Sequence, residues 1–170
     1  MELLDAVNDY ILAYTDAVQE RLFKGYGNRV TLPPDNDYTI FFEDEAERIG
    51  TNVTEFTSQQ TVVEKTLFER TVNIDFCGMD AAKVRRRAEA LAVLSRSYLS
   101  CDFFKKLGFN YNYADDMQFL PFTDEDQQYV HRYRIVLHVT EWASVALPQD
   151  NTETVTIRVV DVDAAYPPQE

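Results

Sequence analysis

The stretch TLFERTVNIDFCGMDAAKVRRRAEALAVLSRSYL, residues 66–99, decides the fold of this chain. From Phe68 to Phe76, every second side chain is apolar or long and the ones between are polar. This period of two is typical of a strand with one face on a core and the other in water. After Gly78 the apolar residues recur at helical spacing, beginning with Val84. A strand that leads into an amphipathic helix predicts an α+β or α/β core on which the other elements pack.

The flanking sequence predicts the other elements. Residues 2–22 carry the apolar stripe of an amphipathic helix, which Gly25 or Gly27 would end. The acidic run at residues 43–47 lacks the spacing of a calcium loop and is read as a solvated turn. The remaining predicted elements are strands at residues 37–43, 48–60, 117–122, 129–140 and 155–159, a short helix at 101–107 ended by Gly108, and an aromatic loop at 109–114.

The predicted fold is a single α+β domain over residues 1–163. Its sheet is mainly antiparallel, with four to six strands, and an N-terminal helix and a central helix pair pack on one face. Residues 48–66 are rich in Thr, Gln and Asn, so they are weakly held in register and are predicted to form a projecting hairpin arm. Residues 164–170 are predicted to be a flexible C-terminal tail.

The charge of the chain limits its partners. With 16 Lys and Arg against 29 Asp and Glu, the formal net charge is −13, which repels nucleic acid and anionic membranes. No segment approaches the roughly 18 apolar residues of a membrane span. The charge is also uneven, because residues 83–106 are basic while acidic residues crowd the first 47 and last 30 positions. Such opposite poles suit contacts with further copies of the chain or with a complementary partner.

No catalytic, cofactor or metal site is predicted. His131 and His138 lie seven residues apart on one predicted strand, so they point to opposite faces. Cys77 and Cys101 are too few for a disulfide framework and are expected in the core. The carboxylate pair Asp161 and Asp163 lies near a chain end and is read as a solvated edge rather than an acid–base pair. The sequence therefore predicts a protein that is not an enzyme.

Three phrases carry a resemblance to a known family: LFERTVNIDFCGMDAAKVRRRAEALAVLSRS (67–97), FFKKLGF (103–109) and FLPFTDEDQQYVHRYRIVLHVTEWAS (119–144). With the order of elements, they resemble the neck and tail-terminator proteins of long-tailed bacteriophages and prophages over roughly residues 38–142. The resemblance implies a structural virion protein that forms a ring, commonly hexameric. This ring would cap the tail tube and dock the head connector.

The resemblance also implies partners and a location. The expected partners are further copies of this chain, the tail tube protein and the head-completion or connector protein, with the tail sheath as a further candidate. No cofactor, membrane contact or sequence-specific binding of nucleic acid is expected, and DNA would pass through the lumen of the ring. The expected location is the neck of the virion, after assembly in the host cytoplasm.

Six residues form the hypothesis for a subunit interface. Three consecutive arginines in an acidic protein favour an acidic neighbour over nucleic acid. The arm would reach an adjacent subunit or the tail tube, and a tryptophan that closes a long strand is either an interface anchor or a core or sheet-edge residue. The six residues are Arg85, Arg86, Arg87, Thr54, Phe56 and Trp142.

Two alternative functions remain open at this point. One is another tail component, such as a tail-tube, tail-completion or baseplate protein, which uses similar modules of sheet and helix. The other is an α+β ligand-binding domain or enzyme, which would require a concave apolar pocket with convergent polar groups near His131 or His138.

Overall fold

The computed structural model of this chain describes residues 2–25, 31–58 and 61–148. In these residues a mixed, mostly antiparallel sheet of eight strands carries three α-helices, which confirms the predicted α+β class. The strands exceed four to six because three of the eight have only two or three residues. The elements are α1 (Leu3–Tyr14), β1 (Leu22–Lys24), β2 (Tyr38–Arg48), β3 (Val53–Ser58), β4 (Thr61–Gly78), α2 (Ala81–Leu94), α3 (Tyr98–Lys106), β5 (Asn110–Ala114), β6 (Gln118–Phe119), β7 (Phe122–Thr123) and β8 (Tyr129–Pro148).

Two long strands form the centre of the sheet. The strand order is β1-β2-β4-β8-β5, and β4 pairs antiparallel with β8 along its whole length, from Thr61 opposite Pro148 to Gly78 opposite His131. β3 pairs with the first part of β4, while β6 and β7 pair with the first part of β8. With 18 and 20 residues, β4 and β8 are far longer than the usual five or six, so the sheet continues past its core.

The helices cover one face of the sheet and enclose the main core. Val72, Ile74 and Phe76 of β4 point into this core, as the alternation predicts, and all three are fully buried. They pack with apolar residues of all three helices and with Phe41 of β2. The predicted N-terminal helix and helix pair on one face are therefore confirmed.

The turn from β4 into α2 depends on two residues. A Cβ at Gly78 would lie 2.6 Å from Cγ2 of Val84, so a larger residue would force the helix away from the strand. Asp80 caps the helix, because its carboxylate accepts hydrogen bonds from the backbone N–H groups of Ala82 (3.0 Å) and Lys83 (3.1 Å). The predicted change of period at this glycine is confirmed.

The second face of β4 is not in water as predicted. Asn73 and Asp75 are each only 3% exposed. Arg134 donates two hydrogen bonds to the carboxylate of Asp75 (2.7 and 2.8 Å), and Asn73 donates one to Asp44 (3.0 Å). The guanidinium of Arg134 also lies over the ring of Phe42. Because β4 has a neighbouring strand on each side, longer side chains from those strands cover its short polar ones.

The first helix ends at Tyr14, so the prediction of a helix through residue 22 was wrong. Thr15 adopts an extended backbone, and its hydroxyl donates a hydrogen bond to the carbonyl of Ile11 (2.8 Å) while it accepts one from the N–H of Ala17 (3.2 Å). A threonine side chain that bonds the nearby backbone competes with helix continuation. The chain then forms a 3₁₀ turn and the short strand β1, which pairs parallel with β2.

The acidic run at residues 43–47 lies in strand β2. The prediction that it forms a solvated turn was therefore wrong. Glu43 accepts a hydrogen bond from Arg70 at 2.5 Å, and Asp44 accepts one from Asn73. A bulge between Glu43 and Glu45 shifts the register. Cross-strand partners therefore hold the beginning of this run in the sheet, and these partners could not be identified from β2 alone.

The predicted aromatic loop at residues 109–114 is mostly a strand, β5. Tyr111 lies opposite Val139 of β8 and is buried, and its hydroxyl donates a hydrogen bond to the carbonyl of Ser95 (3.1 Å). The predicted strand at 117–122 is divided into β6 and β7. This aromatic segment forms an edge strand of the sheet because the side chain of Tyr111 packs into the core.

The last helix begins earlier than predicted. Ser97 caps α3 by accepting a hydrogen bond from the N–H of Leu99 (3.2 Å), so the helix begins at Tyr98 and not at residue 101. Gly108 has a φ of 91°, which confirms it as the left-handed residue that ends this helix. Cys101 of α3 is exposed, so the prediction of a core position holds only for Cys77.

Several predictions fall outside the described residues. They are the strand at 155–159, the pair Asp161 and Asp163, and the tail at 164–170. The extent of the domain, 1–163, stays a prediction. The strand predicted at 129–140 continues to Pro148 as β8. None of the described helices has the length and apolar content that crossing a bilayer requires.

Buried acidic protons make the fold sensitive to alkali. Burial raises the pKa of the Tyr10 phenol to about 12 and that of the Cys77 thiol to about 12, from ordinary values of 10.0 and 9.0. The unfolded chain releases these protons at lower pH than the folded chain, so stability is full below pH 9 and is lost as the pH rises towards 12. We expect urea unfolding to give a free energy of unfolding about 4 kcal/mol lower at pH 11 than at pH 8. Tyr10→Phe should weaken this dependence, and equal values at both pH would contradict it.

Candidate assembly interface

The long strands carry a three-stranded extension beyond the core. We define the extension as β3, residues 61–67 of β4 and residues 142–148 of β8. In it, Val53 lies opposite Lys65, and Trp142 lies opposite Leu67. The main core cluster takes no residue from the described part of the extension. The extension therefore adds nothing to the main core, and its exposed side chains are available for contacts outside the subunit.

Both faces of the extension expose apolar side chains. On the face that continues the helix-covered side, Phe56 is 71% exposed, and Val145 and Leu147, which are also exposed, lie on the same face across β4. On the other face, five residues line a groove of about 640 Å³: Val53, Glu55, Lys65, Trp142 and Ser144. Trp142 is 54% exposed there, which contradicts a core position and leaves the interface and sheet-edge roles open. Clustered exposed apolar side chains of this kind mark interaction surfaces.

The three consecutive arginines of α2 have three different environments, because successive residues of a helix point about 100° apart. Arg85 is exposed and forms an ion pair with Glu89 one turn later (2.7 Å). Arg86 is exposed and forms no ion pair with any described residue. The side chain of Arg87 is 3% exposed and donates hydrogen bonds to Asp16 and Asp37, each at 2.7 Å.

Arg87 belongs to a network inside the subunit. Asp37, just before β2, also accepts a hydrogen bond from Lys83 at 2.7 Å. Burial opposes the charge of the Asp37 carboxyl, but the bonds from Lys83 and Arg87 outweigh it and hold its pKa below the ordinary value. The network ties α2 to the segments that follow α1 and precede β2. The sequence contains a signal for the inward position of Arg87 that the prediction did not use. Arg87 lies between Val84 and Leu91 on the apolar stripe, which is the buried face of the helix.

A group of carboxylates lies where the extension joins the rest of the sheet. The sequence alone did not predict that these carboxylates share one surface. We call Glu45, Glu47 and Glu69 the acidic base. Glu47 lies directly opposite Glu69, and Glu45 lies opposite Thr71, so alternation places all three on the same face as Trp142. The signal was present in the acidic run of β2, but the register that brings Glu69 beside it depends on the bulge.

The two histidines lie apart in aromatic surroundings. His138 stacks on Tyr113 at 4.2 Å, and its Nδ1 lies 3.4 Å from Oε1 of Glu69. His131 stacks on Phe119 at 6.0 Å. In the described part of the chain, no group of three or more His, Cys, Asp or Glu side chains is placed to hold a metal ion.

Comparison with known families gives one match. The model of the phage neck terminator protein family matches residues 1–170, which is the whole chain. A comparison with curated proteins found none that matches this chain. The match confirms the resemblance inferred from the sequence and removes the enzyme alternative, since this is a family of structural virion proteins. The chain therefore belongs to the family of phage neck terminator proteins, whose partners lie in the phage tail and head.

Proposed function

We propose that this chain forms a ring, a hexamer, which caps the tail tube at the neck and provides the docking surface for the head connector. The observation that carries this proposal is the presence of two unlike exposed surfaces on one subunit, the extension and the outer side of α2. A ring requires contacts in which one surface of each subunit meets a different surface of the next. The family match favours this function over the tail-tube, tail-completion and baseplate alternatives.

The proposed partners follow from the position at the neck. The ring would contact the tail tube protein on one side and the head-completion or connector protein on the other, with the tail sheath as a further partner in a contractile tail. The net charge of −13 would let DNA pass through the lumen without binding to it. Assembly would take place in the host cytoplasm.

The proposed interface includes five residues with side chains that can reach a neighbour. Phe56 and Trp142 supply exposed aromatic rings, and Thr54 lies beside Phe56 on β3. Arg85 and Arg86 are exposed on α2. Arg87 would contribute indirectly, by holding α2 in place within the subunit. The arm predicted at residues 48–66 would be the part of the extension that reaches the neighbour.

The native mass of the purified protein tests this function. Light scattering across protein and salt concentrations, with and without tail tubes, should detect a species of about 118 kDa, six times the 19.7 kDa of one chain. If the ring closes only on its tube, the isolated protein should be monomeric and about six copies should bind each tube end. A chain that stays at 19.7 kDa and does not bind tail tubes would contradict the proposal.

Phe56 offers a simple test of the extension. Because this ring is 71% exposed, Phe56→Ser should change the free energy of unfolding of the subunit by less than about 0.5 kcal/mol. We expect the same variant to weaken assembly on tail tubes at least about tenfold, because Phe56 lies on the face of the extension opposite the groove, where the arm would reach the tail tube. Tyr129→Ser is the matched control, since Tyr129 is 63% exposed and lies outside the extension. Equal assembly of both variants would exclude Phe56 from the interface.

A further inference from the structure

We propose that the outer face of α2 of one subunit docks across the grooved face of the extension of a second copy. In this contact Val93 packs against Trp142, Arg86 lies over the acidic base, and Arg96, on the other side of Val93, adds positive charge at the edge of the same surface. The inference rests on the proposed ring and names the two surfaces that join its subunits.

The grooved face has an apolar centre with carboxylates beside it. Trp142 and Val53 are exposed in the groove, and the pair Glu47 and Glu69 lies on the next same-face row towards the core, about 7 Å along the strands. Two carboxylates directly opposite each other repel and cost stability. Glu47 and Glu45 form no ion pair with a described Lys or Arg. A cation from outside the subunit would remove this repulsion.

The outer face of α2 has the complementary arrangement. Val93 is 79% exposed, an unusual position for a β-branched apolar side chain on a helix. Arg86 lies two turns before it, about 10 Å along the axis, and Arg96 lies three residues after it in the turn that ends the helix. Both arginines are exposed and form no ion pair with a described residue, in contrast to Arg85 and Arg87.

The two surfaces therefore match in both apolar character and charge. An aromatic side chain in a partly enclosed groove is a typical anchor of an interface, and opposite charges around it fix the orientation of the partners. Residues 83–106 carry seven Lys and Arg against two Asp and Glu in a chain with a net charge of −13, so the cations of α2 face an acidic molecule when they meet another copy. Because the two surfaces differ, each subunit keeps one of each free for the next, and the contact can close into a ring.

Charge reversal on each surface separately tests this pairing. The helix variant carries Arg86→Glu with Arg96→Glu, and the base variant carries Glu45→Arg with Glu47→Arg. All four positions are exposed, so both variants should fold like the natural chain, which unfolding curves would verify. Arg87 is left unchanged because it stabilises the subunit. Each variant alone should assemble at least about tenfold more weakly, because its helix and its acidic base now carry charge of the same sign.

Mixing the two variants gives the decisive result. The acidic helix of one variant fits the basic extension of the other, and the natural helix of the second fits the natural base of the first. We therefore expect an equimolar mixture to assemble like the natural chain, in alternating order. The control variant carries Lys105→Glu with Lys106→Glu, which lowers the net charge by as much as the helix variant does but places the change on α3. This control should assemble like the natural chain.

The outcomes separate this docking from the ring itself. Assembly of either variant alone at the natural level, or failure of the mixture while the natural chain assembles, would overturn the docking and leave the ring proposal standing. A natural chain that fails to assemble even with tail tubes would overturn the ring proposal and the docking together.

Discussion

Replacing Phe104 with alanine should lower the free energy of unfolding by about 4 kcal/mol, the largest effect of any substitution we predict. The ring is fully buried between α3 and the sheet, stacked on Tyr111 at 5.5 Å and tilted against Tyr10 at 5.0 Å between ring centroids. Removing it takes away the apolar surface buried on folding and leaves a cavity among aromatic side chains that cannot easily collapse.

Chemical denaturation of the monomeric subunit measures this effect. Phe119→Ala is the matched control, because this ring is 49% exposed and packs on Tyr133. Its removal should lower the free energy of unfolding by less than about 1.5 kcal/mol. Equal costs for the two variants would mean that α3 does not pack on the core as described.

Replacing Arg87 with alanine should lower the free energy of unfolding by about 3 kcal/mol. The substitution removes a buried guanidinium and leaves two carboxylates, Asp16 and Asp37, without it. The estimate is at the lower end for a broken buried ion pair because Asp37 keeps its bond to Lys83 and Asp16 is largely exposed. Arg86→Ala, next to it on the exposed side, should change stability by less than about 0.5 kcal/mol. Similar values for the two variants would contradict the inward position of Arg87.

The same network predicts a dependence on acid pH. The pKa of the Asp37 carboxyl is lowered in the folded protein, so its stabilisation is present above the ordinary carboxyl pKa and is lost as the pH falls through the lowered value. Arg87→Ala removes one cause of the lowered pKa. The variant should therefore lose less stability between pH 7 and pH 3 than the natural chain, as urea unfolding at both pH values would show.

Periodicity predicted the elements that pack on the core. The alternation from Phe68 to Phe76 and the helical spacing after Gly78 both reflect burial on one face, and burial is what the structure shows for Val72 and Val84. Periodicity gave wrong predictions where a side chain forms hydrogen bonds with residues distant in sequence. The acidic run of β2 reads as a turn because its partners, Arg70 and Asn73, come from another strand.

The candidate interface was predictable only in part. Phe56 and Trp142 are exposed, as an interface hypothesis requires. The three consecutive arginines look alike in the sequence, but the helical repeat turns Arg87 inward. The position of Val93 in the sequence gives no sign that this side chain is exposed, because its exposure depends on how α2 packs on the sheet. Which apolar side chains stay outside a core is a property of the packed molecule, and the sequence pattern carries little information about it.

A reconstruction by electron microscopy of this protein bound to the ends of tail tubes would test the proposed ring and its subunit contacts together. We expect one closed ring at the tube end, with six subunits and with α2 of each subunit against the extension of the next. Single subunits at the tube end, or a ring in which like surfaces meet across two-fold axes, would contradict this arrangement.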